Sequence, residues 1–455
     1  MGNLTYTPLF TLPHIMNETF LIQQAHVVLP HQIIQGDVLL KSGKIAQISR
    51  SIPPDTSDKI IRAEGKYLLP GFIDIHNHGA LGFDFSLGNY EPEFHQFANS
   101  ESVYKQGLID TLGYFLKKGT TTLFPTSLAA ALDDLVNSFR EIYRFSKSDH
   151  LYSKIIGGIN LEGTFIKDPA YAGAQNPEYF FSPDPATFDL LNEAAGHLIQ
   201  IVNLPPEHGA ASLDLVQKLT HQGICVAGGH TGAYAEEFEA YVQAGLRLAV
   251  HFLNGPSRSF TKPFQNGGAV EEMLRNDQVS LEIITDGYHV HPAYVRDSIA
   301  RKGFDKIIII TDSLFVNGLL HLSEFQISGI RGELSENREY LQVQGKADTL
   351  FGSVLTMDRA FANMLNWLIQ DMEGIWHRKH EALSLEEGLI RTSQMASGNP
   401  AKLMNIDQET GSIAIGKRAN LILGEIQSDK QKEGYGLSKT YSLKIDKVFL
   451  DGILS

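Results

Sequence analysis

Residues Leu68–Gly79 read LLPGFIDIHNHG, and the chain changes character inside this stretch. Upstream, from about residue 20 to residue 66, FLIQQAHVVL, GDVLLKSGKIAQIS and DKIIRAEGKYLL are β-rich, with KSGK as a hairpin turn. Downstream of Pro70, short apolar runs alternate with helical stretches, the signature of βα units around a parallel sheet. Successive side chains of a strand alternate faces, so Asp74, His76 and His78 point the same way. Two imidazoles side by side at a strand end can grip one metal ion, or can be ordinary polar residues where a strand meets solvent. The stretch alone does not choose.

The runs after Pro70 are GFIDIHNH, TTLFPTS, KIIGGINLEG, LIQIVNLPP, ICVAGGH, RLAVHFLNG, SLEIITDG and KIIIITDS. Amphipathic stretches such as LDDLVNSFREIYRFS and YAEEFEAYVQAG lie between them. Eight such strands in order predict an α/β fold of the (β/α)8 TIM-barrel type, roughly 250 to 300 residues long. A doubly wound open sheet is the alternative, but it usually has fewer strands, and no glycine-rich dinucleotide fingerprint follows the first one. After the eighth run, FQISGIRGELSENREYLQVQG reads as a β-hairpin insertion, and two helical stretches follow, around SVLTMDRAFANMLNWLI and SLEEGLIRTSQMA. The tail, GSIAIGKRANLILGE and IDKVFLDGILS, returns to strands, and SDKQKEGYG reads as a solvated loop. The expected organisation is a small β-sandwich from residues 20–66 and 406–455 around a barrel at residues 67–405.

Composition narrows the function classes. The chain has 455 residues, 43% of them hydrophobic and 20% charged, which is ordinary for a soluble globular protein. A formal net charge of −14 disfavours nucleic acid and acidic membranes as partners. Cys225 is the only cysteine, so no intrachain disulfide or thiolate metal cluster can form. Its neighbours, GICVAG, mark it as strand core. No run reaches the ~18 apolar residues of a membrane span, and MGNLTYTPLFTLPHIMNETF lacks the plan of a secretory signal. A cytoplasmic location is expected.

In such a barrel, chemistry sits at the C-terminal ends of the strands. Metal-capable residues concentrate there. His76 and His78 end strand one, Glu162 strand three and His230 strand five, while His251 lies late in strand six. Strand seven leads to Asp286 and His289, and strand eight ends at Asp312. Imidazole and carboxylate donors suit zinc, iron or manganese. Glu162, His230 and His251 supply three ligands and leave a position for water, while His76 and His78 could hold a second ion. Such an ion lowers the pKa of its water to about 7. Asp312 stands where a carboxylate can take a proton and return it to a leaving group. The alternative for Asp312 is capping of a following helix.

With these residues laid out, the chain resembles the amidohydrolase superfamily and, within it, the N-acetylglucosamine-6-phosphate deacetylase family. PGFIDIHNHG, NLEGTF with AGAQNP, GGHTGA, VHFLNG, TDGYHV, ITDS, LFGSVLTM and NPAKLMNI…GSIAIGKRANLIL carry the likeness in order along nearly the whole chain. The resemblance implies metal-dependent hydrolysis of the acetamido group of an amino sugar phosphate, giving acetate and the free amine. It implies Glu162, His230 and His251 as ligands of the main ion, and Asp312 as general base and then general acid. His76 and His78 allow a second ion. Ala174, Asn254, Gly255, His289 and Leu350–Phe351–Gly352 would contact the sugar. The family is typically dimeric, so a homodimer is expected.

The departures bear on the substrate. The third-strand motif usually reads His-Leu-Glu-Gly-Pro, and here Asn160 and Thr164 replace its ends. Gln175 stands where many relatives have a histidine that polarises the amide carbonyl, and glutamine can donate a hydrogen bond but carries no charge. After strand six, relatives carry a phosphate-binding arginine in a run like Arg-Glu-Pro-Gly. This chain has GPSRSFTKPFQNGG, with Arg258 and Lys262 as the available cations. A different N-acetyl amino sugar, the galacto epimer or an unphosphorylated one, is the neighbouring alternative. Cyclic-amide hydrolases and deaminases often use a modified strand-four lysine, which LIQIVNLPPE lacks. A non-catalytic barrel should have lost ligands, and this chain has not.

Overall fold

Each of the eight apolar runs carries a strand: Phe72–Asn77, Thr120–Pro125, Ile159–Leu161, Ile199–Asn203, Cys225–Gly228, Leu248–Ala249, Ser280–Ile284 and Ile307–Ile310. They belong to a computed structural model that describes residues 18–254, 257–259, 266–319, 321–346, 349–429 and 440–455. Strands three to eight pair in sequence order, all parallel, and strand one pairs in parallel with strand two. Parallel bridges from Leu123 to Ile156 and from Thr126 to Asn160 join strand two to strand three. A further bridge sets Asn77, at the end of strand one, beside Ser313, just past strand eight. The result is a curled parallel sheet.

Both faces of this sheet are covered, and its sequence shows why. Ile307–Ile310 is four isoleucines with no exposure at all, as a parallel strand packed on two sides requires. The covering helices turn one apolar stripe inward. In Leu132–Ser146 it is Leu135, Phe139, Ile142 and Phe145, spaced by one helical turn. Cys225 lies on strand five, where burial pushes its thiol up to about 12.

The N- and C-terminal segments meet in a second sheet. Phe20–Val28 pairs antiparallel with Ile33–Lys41, which turns through Ser42 and Gly43 into Lys44–Ser49. Both turn residues have positive φ, 49° and 76°, as a two-residue hairpin of this hand requires. Tyr67–Pro70, which the sequence boundary assigned to the barrel, is a strand of this second sheet. It lies between Phe20–Val28 and Leu421–Asp429, and Thr440–Leu450 pairs beyond. Phe20, Val38, Leu40, Leu421 and Phe449 belong to a core separate from that of the parallel sheet. Phe20 and Phe449 sit on strands three steps apart, about 14 Å in a flat sheet. Their ring centroids are 5.7 Å apart. The sheet therefore bends sharply over its own apolar face.

The insertion after strand eight is three-stranded, not a hairpin: Glu324–Ile327, Ile330–Leu334 and Leu341–Val343. A lone hairpin is marginal in water. Here Leu341 and Val343 add a third row to a cluster that includes Phe315, Phe325 and Phe351. The loop reading of SDKQKEGYG falls largely on residues 430–439, outside the described residues.

Candidate metal centre

The ends of strands one, three, five, six and eight converge on one point. His76 and His78 present their Nε2 atoms to each other at 3.3 Å, and His230 and His251 do the same at 3.2 Å. Glu162 lies between the two pairs. Its Oε1 is 3.0 Å from His251 Nε2, 3.4 Å from His230 Nε2 and 3.6 Å from His76 Nε2, while Oε2 is 3.5 Å from His78 Nε2. Asp312 Oδ1 closes the His78 side at 3.1 Å, with His76 Nε2 at 3.6 Å. All six side chains are buried.

The other nitrogen of each ring decides what this cluster wants. His78 Nδ1 faces the Thr126 carbonyl at 3.2 Å, His230 Nδ1 that of Tyr171 at 2.9 Å, and His251 Nδ1 that of Asn254 at 2.8 Å. His76 Nδ1 faces a carboxylate oxygen of Glu282 at 3.0 Å. These oxygens only accept, so each Nδ1 carries the proton, and each neutral ring turns its Nε2 lone pair into the centre. Lone pairs facing one another at such distances repel. A shared cation, or added protons, must lie among them. Four nitrogens and two carboxylates, with no sulfur, fit zinc, iron or manganese.

The charges agree. Burial opposes the His76 imidazolium, yet Glu282 and Glu162 raise its pKa well above the ordinary value, and Glu162 also raises that of His251. Burial likewise opposes the Glu162 carboxylate, which the surrounding imidazoles hold far below the usual range. Asp312 is held at about 2 by His78 and His76 against its burial. The cavity is built for positive charge.

Local backbone conformation aims three of these groups. His230, His251 and Asp312 have φ of 50°, 25° and 51°, in the left-handed region that non-glycine residues rarely occupy. Such strain, about 1 kcal/mol or more apiece, is tolerated where a site demands the geometry. His251 was expected late in strand six, but the strand ends at Ala249 and the turn after it swings the ring inward. Among the described residues no helix begins between Asp312 and the next strand, Glu324–Ile327, so the expected helix cap is not found there. Gly163, φ 81°, turns the chain directly behind Glu162, and a Cβ there would lie 2.3 Å from the Ala129 nitrogen.

Above the cluster opens a pocket of about 1050 Å³. Ala174, Gln175, Asn254, His289, Leu350, Phe351 and Gly352 all line it. Gln175 is engaged in a way the sequence did not indicate. Its amide donates to Glu162 at 2.9 Å and accepts from the Ala129 N–H at 2.7 Å, so it braces the central carboxylate. His289 is held through Nδ1 by Asp286 at 2.6 Å. Arg258 does not line the pocket, although Ser257 and Ser259 do, because its guanidinium stacks 4.5 Å from the Tyr234 ring. Gly255 and Lys262 lie outside the described residues. Among the described residues, Lys346 is the lysine or arginine that lines the pocket.

Two features were not anticipated. Glu282, in the middle of strand seven, touches His76 and the His251 N–H, and its only signal was a carboxylate inside the apolar run SLEII. Asp297 accepts the N–H groups of Ile375 and Trp376 at 2.7 and 2.6 Å and contacts His377 and His380. It thereby pins the loop whose Trp376 forms part of the pocket wall.

Comparison with known proteins places this geometry. The sequence profile described as the amidohydrolase family matches residues 67–454. The N-acetylglucosamine-6-phosphate deacetylase of Lysinibacillus sphaericus is 31% identical over 382 residues, covering 83% of this chain and 87% of that one. Its counterpart from Bacillus subtilis is 30% identical over 420 residues, covering 90% and 93%. The N-acetylgalactosamine-6-phosphate deacetylase of Escherichia coli O157:H7 is 26% identical over 412 residues, covering 90% and 95%. Among solved structures, a variant of N-acetyl-D-glucosamine-6-phosphate deacetylase from Mycobacterium smegmatis superposes with a TM-score of 0.76 at 22% identity. That match covers 96% of this chain and 99% of the other. No helix among the described residues is long and apolar enough to cross a membrane. The chain is a member of the amidohydrolase family, in the branch of the N-acetylglucosamine-6-phosphate deacetylases.

Proposed function

We propose that this enzyme hydrolyses the acetamido group of N-acetylglucosamine-6-phosphate to acetate and glucosamine-6-phosphate. The observation that carries the proposal is the convergence of four imidazole Nε2 atoms, Glu162 and Asp312 on one point at the floor of the pocket. Glu162, His230 and His251 would hold the main ion, and His76 and His78 a second, with zinc, iron and manganese all suited to the donors. When bound, the ion polarises the amide carbonyl and makes a water molecule acidic near neutral pH.

The chain's own groups then move the protons. Asp312, ionised at neutral pH, accepts a proton from the attacking water as its oxygen bonds to the carbonyl carbon. It returns that proton to the nitrogen as the carbon–nitrogen bond breaks, leaving acetate and the free amine. His289, steadied by Asp286 and lining the pocket, offers its Nε2 to a sugar hydroxyl. Ala174, Asn254, Gly255 and the Leu350–Gly352 stretch complete the sugar contacts in this reading, and Gln175 keeps Glu162 in place.

The same reading takes the parallel sheet as a closed (β/α)8 barrel, which the Asn77–Ser313 bridge supports. It takes residues 20–66 and 406–455 as a small β-sandwich, supported by the Phe20–Phe449 contact. The family resemblance supports a homodimer, and the single cysteine supports a reducing, cytoplasmic setting. The stacked position of Arg258 favours keeping a second substrate in view, the galacto epimer or an unphosphorylated sugar.

The test incubates the zinc-loaded protein with N-acetylglucosamine, its 6-phosphate and both galacto epimers, and measures acetate. Fastest release from N-acetylglucosamine-6-phosphate is expected. Release from none of the four refutes the assignment.

A further inference from the structure

Glu282 has no exposure, sits in the interior of an apolar strand, and has one carboxylate oxygen committed twice. Oε2 accepts the His251 N–H at 3.0 Å and faces His76 Nδ1 at 3.0 Å, while Oε1 is buried without a hydrogen-bond partner. An isoleucine would fill such a strand position at no electrostatic cost. A carboxylate there is stable only against positive charge close by. It meets the His251 half only at the backbone N–H, and the one imidazole ring it contacts is that of His76.

Charge counting shows what the extra carboxylate changes. Three carboxylates touch the four imidazoles: Glu162, Asp312 and Glu282. With neutral rings the cluster carries −3. One divalent ion leaves it at −1, and two bring it to +1. Without Glu282 the second ion would leave a buried +2, which the low-dielectric interior opposes.

We propose that Glu282 is a positioning residue for the His76–His78 half of the centre. It holds the proton on His76 Nδ1, aims the Nε2 lone pair inward, and supplies the charge that lets this half retain its own ion. The inference rests on the metal-dependent reading above. It adds that occupancy of the second position is set by a residue that touches neither ion nor substrate.

The experiment equilibrates wild-type, Glu282→Gln and Glu282→Leu proteins with zinc over a chelator-buffered series and determines zinc per chain. Folding of the metal-free forms is checked by circular dichroism and thermal melts. Wild type is expected to take two ions. Glu282→Gln keeps an oxygen that can accept both hydrogen bonds but lacks the charge. It should bind the first ion as wild type does and the second 10- to 100-fold more weakly. Glu282→Leu should lose the second ion. If Glu282→Gln fails to fold, Glu282→Asp replaces it, and its second ion should weaken less than in Glu282→Leu. Unchanged binding of both ions in Glu282→Gln overturns the proposal, as does equal weakening of both. A wild-type protein that takes one ion and still releases acetate also overturns it, and leaves the hydrolase reading standing. A fully loaded wild-type protein that releases no acetate refutes the hydrolase reading instead.

Discussion

Replacing Asp312 by asparagine separates proton transfer from everything else the centre does. The two side chains have the same shape, and the amide oxygen can stay near His78 Nε2, where Oδ1 lies at 3.1 Å. Glu162, His230 and His251 are untouched, so the main ion should remain. What is lost is the group that takes a proton. In the native protein that group is ionised at any working pH, since the imidazoles hold it at about 2 against the opposing effect of burial. General acid–base catalysis by a positioned side chain contributes about 10²–10⁴-fold. At about 1.4 kcal/mol for each factor of ten, the barrier should rise by about 3–5 kcal/mol. The assay is acetate release over a range of substrate concentrations up to saturation, with zinc per chain and the thermal melt measured on the same sample. The expected result is kcat down by about 10²–10⁴, KM little changed, and zinc in the main position retained. A variant within about tenfold of wild-type kcat, folded and loaded, means that the proton is taken elsewhere and that Asp312 is not the general base.

Three further outcomes are expected. In the metal-stripped protein the raised pKa values of His76 and His251 stabilise the fold at low pH, and that contribution is lost as pH rises through them. The stripped melting temperature should therefore fall as pH rises above about 6.5, while the gain on adding zinc grows as protons stop competing; a stripped protein that becomes more stable as pH rises contradicts the argument. Gly163→Ala puts a Cβ 2.3 Å from the Ala129 nitrogen and 2.9 Å from Gln175 Oε1, at a φ of 81°. It should cost about 2–5 kcal/mol and lower zinc affinity by displacing Glu162, and an unshifted melt would show that the loop yields freely. The Cys225 thiol, pushed up to about 12 by burial, should resist a thiol-specific disulfide reagent at pH 8 until denaturant is added. Cys225 is partly exposed and packs against the core, and rapid labelling of the native protein would show that its sulfur is on the open side.

How much of this was legible in the sequence follows from how each signal is encoded. Periodicity is local, so the eight runs and the helices Leu132–Ser146 and Ala235–Ala244 could be read directly. Strand-end histidines were legible because polar residues closing apolar runs stand out, and His76, His78, Glu162, His230, His251 and Asp312 do meet. Glu282 was not legible as a partner of His76, because 206 residues separate them and only the curl of the sheet brings them to 3.0 Å. The work of Gln175 was hidden for a related reason: its type shows that it can donate a hydrogen bond, and only the packing shows that Glu162 receives it. Arg258 reads in the sequence as a cation for the pocket, and in the fold Tyr234 captures its guanidinium. The amino-acid order by itself therefore determined the elements and the chemical types available, since both depend on neighbours along the chain. The tertiary structure alone decided which lone pairs face each other, which carboxylate stands behind which ring and which cation is turned aside, because contacts at about 3 Å depend on where distant segments are brought together.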